Sequence, residues 1–113
     1  MADNLHSGHR ERVRKRFLEN GIDGNTPQHE ILEFLLFYCL PRVDTNELAH
    51  KLLDKFGTLA GVFDAPGDEI LSIKVIPKNC VALFKMLVPI ARVYMEHRYD
   101  KPQRFNNISD LGD

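Results

Sequence analysis

The sequence has little cysteine, almost no net charge and no long hydrophobic run. Its two cysteines, Cys39 and Cys80, lie in apolar stretches without CxxC spacing, so we expect buried, reduced thiols and a cytoplasmic protein. The longest apolar run, residues 34–40, is too short for a bilayer span, and residues 1–17 contain no apolar segment of the secretory type. Secretion and membrane insertion are therefore not expected.

The composition is that of one globular domain. With 113 residues, 43% of them hydrophobic and 27% charged, the chain can bury a core without disulfides or metals. Its net charge of -1 does not indicate a nucleic-acid partner for the molecule as a whole. A basic signal exists only locally, because five of the seven residues in the segment 10–16 are basic.

Three long helices are predicted in the first half of the chain. The first covers residues 9–20 after a frayed lead-in and is closed by Gly21. The second begins with Thr26 as N-cap, runs to residue 40 before Pro41, and is apolar nearly all round. It is therefore either the central buried element or part of an oligomer interface. The third is capped by Asp44 and ended by Gly57.

Shorter helices are expected at residues 59–64, after a Thr58 cap, and at 68–72. A last helix is expected from residue 78, fading by 99 and kinked by Pro89. Its inward side chains are predicted to be Val81, Phe84, Leu87, Val88, Ala91 and Tyr94. Together with Leu32, Leu35 and Leu36 of the second helix, Val81, Phe84 and Leu87 should form most of the core. Since no segment alternates apolar and polar residues, the predicted fold class is all-α, with about five to six helices in residues 1–99 and a linker in residues 100–113.

Three stretches carry a family resemblance. They are HSGHRERVRKRFLENG, HEILEFLLFYCLPRVDTNELAHKLLDKFGTL and DEILSIKVIPKNCVALFKML, in this order within residues 6–87. Together they resemble the N-terminal region of the RadC family of DNA repair proteins. The resemblance implies a helical domain with a helix-hairpin-helix unit near residues 68–88. It also implies that full-length members continue into an MPN/JAMM-like domain, which this chain lacks.

A helix-hairpin-helix unit binds nucleic acid by directing the backbone N–H groups of a Gly-x-Gly turn at a phosphate. Here Val75 and Pro77 stand where glycines are expected, so the motif is degenerate: valine resists the turn's backbone angles and proline has no N–H. The side chains of Lys74, Lys78 and Asn79 remain as candidate phosphate contacts.

The first helix offers a second candidate nucleic-acid site. Arg12, Lys15 and Arg16 form a denser cationic group that needs no special backbone geometry, although Glu11 and Glu19 are placed to pair with Lys15. Because of this density, we expect the first helix to contribute more to any DNA affinity than the turn.

No catalytic or metal-binding set of residues is visible. The zinc ligands of a JAMM-like hydrolase would lie in the missing domain, and the five histidines show neither HExxH nor HxH spacing. His6 and His9 are interpreted as residues of a flexible terminus, His29 and His50 as helix-surface residues. Asp68 and Glu69 would diverge by about 100° on a helix, and Cys80 has no neighbouring histidine. We therefore expect no enzyme activity, no cofactor and no bound metal.

Two functional interpretations remain open from the sequence. The first is a non-catalytic module that binds DNA weakly, positions the missing C-terminal domain, or does both. The alternative is a protein–protein or self-association module without a nucleic-acid role, in which copies meet through the apolar second helix. A small metallo- or thiol enzyme is a third class that the residue inventory hardly supports.

Overall fold

The computed structural model describes the backbone of residues 2–99 and the side chains from Gly8 onward. This part of the chain contains no strand and folds into six helices: α1 (Ala2–Asn20), α2 (Gln28–Phe37), α3 (Thr45–Phe56), α4 (Leu59–Asp64), α5 (Gly67–Leu71) and α6 (Lys78–Tyr99). The predicted all-α fold class is confirmed. The predicted linker, residues 100–113, lies outside the described residues.

Four residues that the sequence predicted at helix ends lie there in the structure. The Asp44 side chain accepts a hydrogen bond from the Glu47 N–H at 3.2 Å and so caps α3. Gly57 ends α3 with φ 91°, and Gly21 follows α1 with φ 78°, a backbone region that favours glycine. Thr58 caps α4 through a 3.0 Å hydrogen bond from the Gly61 N–H to its hydroxyl oxygen.

Several predicted boundaries are wrong. α1 begins at Ala2 and not at residue 9, because no proline interrupts the helix toward its N-terminus. Thr26 does not cap α2: its hydroxyl accepts from the Asp23 N–H at 3.1 Å, and Pro27 takes the cap position without a side-chain hydrogen bond. α2 ends at Phe37, not at residue 40. The N–H groups of the next two residues donate to the carbonyls of residues three positions earlier, which is the tighter 3-10 pattern.

The main core lies where α2 and α3 meet α4, α5 and α6. Its fully buried side chains include Leu32, Leu36, Leu52, Ile70 and Phe84. The predicted core residues Leu35 and Val81 are only partly buried but pack against this cluster. Because α2 supplies side chains to the centre of the monomer, its apolar character follows from burial within one chain.

A smaller, separate hydrophobic cluster attaches α1. Val13 and Phe17 of α1 pack with Phe37 of α2, and Phe34 lies at the edge of the cluster. The rings of Phe17 and Phe34 meet edge to face, with centroids 5.2 Å apart. Phe37 is therefore a buried residue of α2 on which α1 packs.

The second half of α6 departs from the prediction. Val88 is 37% exposed and Tyr94 56% exposed, and Ala91 between them is exposed as well. The fully buried Phe84 is the last core residue of the helix, and Leu87 is half-buried. The described part of the chain is elongated, 57 × 34 × 26 Å, because no other described helix lies alongside the end of α6. The three residues predicted to point inward therefore lie on an uncovered helix.

The two cysteines differ in their surroundings. Cys80 is completely buried, as predicted, whereas Cys39 is only partly buried, and both are free thiols. Burial raises the pKa of the Cys80 thiol, and its hydrogen bond with Cys39 raises it further. Of the helices described, none has the length and apolar composition that a bilayer crossing requires.

Candidate nucleic-acid interface

Three exposed cations lie on α1, away from its buried residues, with Arg16 closest to the buried side. We call Arg12, Lys15 and Arg16 the α1 patch; all three are exposed, while Val13 and Phe17 of the same helix are buried. Arg12 and Arg16 are one helical turn apart, about 6 Å along the axis. A duplex or single strand lying along α1 could therefore meet adjacent members of the α1 patch.

One member of the α1 patch is held by an acid from another helix. Arg16 donates to a carboxylate oxygen of Glu30 in α2 at 2.7 Å. Within residues 8–99, Lys15 forms no ion pair with Glu11 or Glu19, although the sequence placed both acids within reach. Arg12 and Lys15 therefore carry the uncompensated charge of the α1 patch in the described part of the chain.

Two further basic residues of α1 are used for packing. Arg10 is 7% exposed, and its side chain donates to three backbone carbonyls at the end of α2 and in the loop after it: Phe37 at 3.3 Å, Leu40 at 2.7 Å and Val43 at 3.0 Å. Its guanidinium lies 5.0 Å from the centroid of the Phe37 ring. Burial lowers the pKa of Arg10 and the Arg14 charge adds to this effect, while Glu33 opposes it. The sequence did not predict this role.

The turn before α6 has an unusual backbone. Val75 has φ 70°. Among the described residues, no other residue except glycine has a positive φ. This is the conformation that glycine adopts without strain, so valine stands where a glycine would be preferred. Ile76 next to it is buried and anchors the turn in the core.

The predicted turn contacts are all exposed. Lys74 precedes Val75, and Lys78 and Asn79 are the first two residues of α6. N–H groups at these first helical positions have no acceptor within the helix, which makes them available to an anion. Pro77, immediately before them, contributes no donor.

The six predicted contacts therefore form two groups on different elements. Among the described residues, no hydrogen bond or ion pair joins Arg12, Lys15 or Arg16 to Lys74, Lys78 or Asn79. α1 packs on α2 through the smaller cluster, whereas the turn is anchored in the main core by Ile76. Each group can accordingly be altered without touching the other.

The histidines are more structured than the sequence predicted. His9 is not part of a flexible terminus: it belongs to α1 and lies 2.9 Å from a carboxylate oxygen of Glu33, which is 2% exposed. A cavity of about 70 Å³ adjoins this pair. The rings of His29 and His50, on α2 and α3, stack with centroids 4.4 Å apart. The side chain of His6 is outside the described residues.

These groups do not assemble into a metal centre. Within the described part of the chain, no three or more His, Cys, Asp or Glu side chains are placed to hold a metal ion. Asp68 and Glu69 lie exposed in the first turn of α5, where acids favour the helix dipole. Neither acid makes a hydrogen bond to a basic side chain in that part of the structure.

Sequence comparisons place the chain near one group of bacterial proteins. It is 46% identical over 87 residues to a UPF0758 protein of Fusobacterium nucleatum subsp. nucleatum. It is also 37% identical over 79 residues to a UPF0758 protein of Ruegeria pomeroyi, and 35% identical over 80 residues to one of Rhodobacter capsulatus. UPF0758 proteins represent the RadC family in general. The resemblance seen in the sequence is therefore supported by homologous proteins.

The similarity covers most of this chain but a minor part of each relative. The matched segments comprise 77%, 70% and 71% of this chain, and 37%, 35% and 37% of the respective relatives. The chain thus spans about a third of the length of the curated relatives it matches. No protein-family model matches the chain. No solved structure matches it either.

Proposed function

We propose that this chain is a non-catalytic accessory module of a RadC-like DNA repair protein, and that it binds DNA weakly through the α1 patch. The observation that carries the proposal is the exposure of Arg12, Lys15 and Arg16 on one side of a helix. Lysine and arginine side chains that neutralise phosphates release counterions, which gives affinity without base recognition. The expected binding is therefore salt-dependent and shows little sequence preference.

The turn before α6 supplies a second, weaker contact in this proposal. The positive φ of Val75 gives this turn a backbone conformation typical of the glycine-rich hairpin of the resembled family. Lys78 and Asn79 add exposed side chains at a helix N-terminus. Since Pro77 removes one N–H from the phosphate cradle, the α1 patch should contribute more to affinity than the turn does.

A fluorescence-anisotropy titration of a labelled duplex over a series of salt concentrations tests this ranking. The variant with Arg12→Gln, Lys15→Gln and Arg16→Gln should bind more weakly than the variant with Lys74→Gln and Lys78→Gln. Its salt slope should fall by up to about three contacts, each contributing about 0.9 to the slope.

A matched control separates local contact from total charge. Arg42→Gln, Lys51→Gln and Arg92→Gln together remove the same three charges from exposed positions outside both groups. This control should keep the salt slope of the parent chain. If the variant of the α1 patch has the same slope as the parent, the patch is ruled out as a DNA contact.

In the longer protein, we propose that the module also positions a metallohydrolase-type region. The proposal is supported by the length of the relatives, about two thirds of which lies outside the similarity. The histidine inventory of this chain supports a non-catalytic role, because HExxH and HxH spacings are absent from it. Metal analysis should give no stoichiometric zinc, and one zinc per chain would contradict the proposal, as would a zinc-dependent peptidase rate.

A further inference from the structure

The contact between α1 and α2 has two flanks of different chemistry. The helices run antiparallel, because Arg10 contacts Phe37 near the end of α2, whereas Arg16 pairs with an acid near its beginning. The two ion pairs between these helices start from one flank of α1: His9 and Arg16 are seven residues apart, about two turns, and each contacts a glutamate of α2. α2 contains no further acid, so it brings no carboxylate to the opposite flank.

The opposite flank combines aromatic, apolar and cationic side chains. In antiparallel helices, residues that are rotated in the same sense from the line of contact lie on the same flank. At about 100° per residue, four residues are rotated in this sense by about 50–110°. We call them the aromatic flank: Arg14 and Leu18 of α1, and Phe34 and Tyr38 of α2.

Tyr38 presents an open ring on the aromatic flank. It is 62% exposed, although its ring meets that of Phe34 edge to face, with centroids 5.4 Å apart. The Tyr38 backbone N–H donates to the Leu35 carbonyl at 3.1 Å, which fixes the residue at the end of α2. The ring is therefore supported from one side and accessible from the other. A fixed, accessible aromatic ring is the platform on which a nucleobase stacks.

We propose that the aromatic flank binds single-stranded nucleic acid, with an unpaired base stacked on Tyr38 and neighbouring phosphates on Arg14 and Lys15. This inference rests on the proposed function, since it requires that cations of α1 meet phosphates, and it names the form of nucleic acid that is bound. Bases within a duplex have both faces covered by their neighbours, so an unpaired base is needed to use the ring.

The charge of this region fits a polyanion. Among the described residues, neither Arg14 nor Lys15 forms an ion pair, and the α1 acids Glu11 and Glu19 hold neither of them. The Arg14 guanidinium lies 5.9 Å from the centroid of the Phe37 ring, which keeps it beside the aromatic flank. An apolar protein surface would cover these cations without supplying acceptors, which costs free energy. Phosphates supply the acceptors.

Leu18 extends the surface on which a strand can lie. It is 88% exposed and lies one turn beyond Arg14 on α1. The faces of bases and sugars are largely apolar, so a bound strand can remove the Leu18 side chain from water while its phosphates meet the neighbouring cations. The exposure of two large side chains, Leu18 and Tyr38, on one flank is thus explained by a single ligand.

Fluorescence anisotropy with a labelled oligothymidylate of about 12 nucleotides tests the stacking. Tyr38→Ala should raise the dissociation constant roughly 10-fold, because stacking of one base on an aromatic ring contributes that much affinity. Tyr38→Leu keeps an apolar contact with Phe34 and should lose as much, whereas Tyr38→Phe should bind like the parent chain. Tyr94→Ala, at an exposed tyrosine of α6, is the matched control and should leave the constant unchanged.

The salt slope counts the phosphate contacts of the single strand. Arg14→Gln with Lys15→Gln should lower this slope by up to two contacts, each contributing about 0.7. Lys51→Gln with Arg92→Gln removes the same charge from exposed positions elsewhere and should keep the slope of the parent. An unchanged slope for the first pair would overturn the assignment of phosphates to Arg14 and Lys15.

Tyrosine emission reports the stacking directly. The chain has three tyrosines and no tryptophan, so a parent with Tyr94→Phe and Tyr99→Phe keeps Tyr38 as its single emitting residue. Oligothymidylate should quench this emission after correction for absorbance, whereas a duplex of the same length should not. Binding through cations alone would leave the emission unchanged with both probes, and that result would overturn the stacking.

Titration of the duplex in parallel separates this inference from the proposed function. Tyr38→Ala should weaken binding of the single strand and leave binding of the duplex unchanged, and circular dichroism checks that the variant keeps its helices. A parent chain that binds the duplex, with no loss of single-strand affinity in Tyr38→Ala, would overturn the inference and leave the proposed function in place. Equal losses with both probes would also overturn it. A chain that binds neither probe would overturn both and leave the aromatic flank to a protein partner.

Discussion

Replacing Arg10 by methionine would remove the side chain that ties α1 to the end of α2. Arg10 donates to the carbonyl oxygens of Phe37, Leu40 and Val43, and these carbonyls belong to a helix end and the loop after it. Carbonyl oxygens at a helix C-terminus find no N–H partner within the helix and need a donor from outside it. Methionine keeps much of the apolar packing but donates nothing and carries no charge, so the variant removes the hydrogen bonds together with the cation–π contact to Phe37.

The cost of this change can be worked out from the contacts. Hydrogen bonds that involve a charged group contribute about 1.5–3 kcal/mol each, although their effects do not add fully. Water can partly replace the guanidinium at a site near the surface. We therefore expect Arg10→Met to lower the free energy of unfolding by about 3–5 kcal/mol. Arg10→Lys should cost less, because the ammonium keeps the charge. It should still destabilise the fold, because an ammonium cannot bridge three carbonyls as the planar guanidinium does.

Urea unfolding followed by circular dichroism measures this cost. The matched control is Arg12→Met, two residues further along the same helix at an exposed position, which should change stability by no more than about 0.5 kcal/mol. The slope of the free energy against urea should be the same in both variants, so that the midpoints are comparable. Equal losses for the two variants would refute the assignment of Arg10 as a capping residue.

Three further changes have predictable outcomes. Leu36→Ala, at a fully buried site, should cost about 2–5 kcal/mol in urea unfolding, and Leu35→Ala, at a half-buried site, should cost less; the reverse order would contradict the packing described above. Val75→Gly should raise the thermal midpoint of unfolding. Relief of the positive-φ strain contributes about 1–2 kcal/mol, which exceeds the roughly 0.5–1 kcal/mol by which glycine increases the entropy of the unfolded chain. A lowered midpoint would show that the turn is unstrained. Burial raises the pKa of the Cys80 thiol in the folded state, so folding favours the protonated thiol. The contribution of this thiol to folding stability is complete below the ordinary thiol pKa of about 8.5 and is lost as the pH rises above that value. Urea titrations at pH 7–10 should therefore show a shallower alkaline loss for Cys80→Ala than for the parent, and identical slopes would exclude Cys80 as the cause.

The features that the sequence predicted well are those fixed by neighbouring residues. Asp44 caps α3 because its acceptor reaches an N–H three residues away, and Gly57 ends that helix because it alone accepts the required φ without strain. Thr26 shows the limit of this kind of inference. Its hydroxyl accepts from the Asp23 N–H, three residues before it, and not from an N–H group of α2.

The features that the sequence could not predict depend on residues far apart in the chain. The acceptors of Arg10 lie 27–33 positions away, and Glu33 lies 24 positions from His9, so no local spacing indicates either contact. Arg10 accordingly counted as part of a basic segment although it is buried. For α6, periodicity identified one apolar side correctly but could not tell what covers it, and Tyr94 was wrongly assigned to the core of the monomer.

The separation of the two hydrophobic clusters divides the molecule into parts of unequal resistance to local opening. Among the residues whose side chains are described, the smaller cluster that packs α1 contains three buried apolar residues, whereas the main cluster contains twelve. Polar contacts of α1 with the end of α2, those of Arg10 foremost, add to this attachment. Backbone amides of α1 should therefore exchange with solvent hydrogen well before those of α2 and α3, through detachment of α1 while the main cluster stays folded. The cations of the α1 patch belong to the segment that opens first, so a polyanion bound to both α1 and the rest of the molecule would slow amide exchange along the whole of that helix.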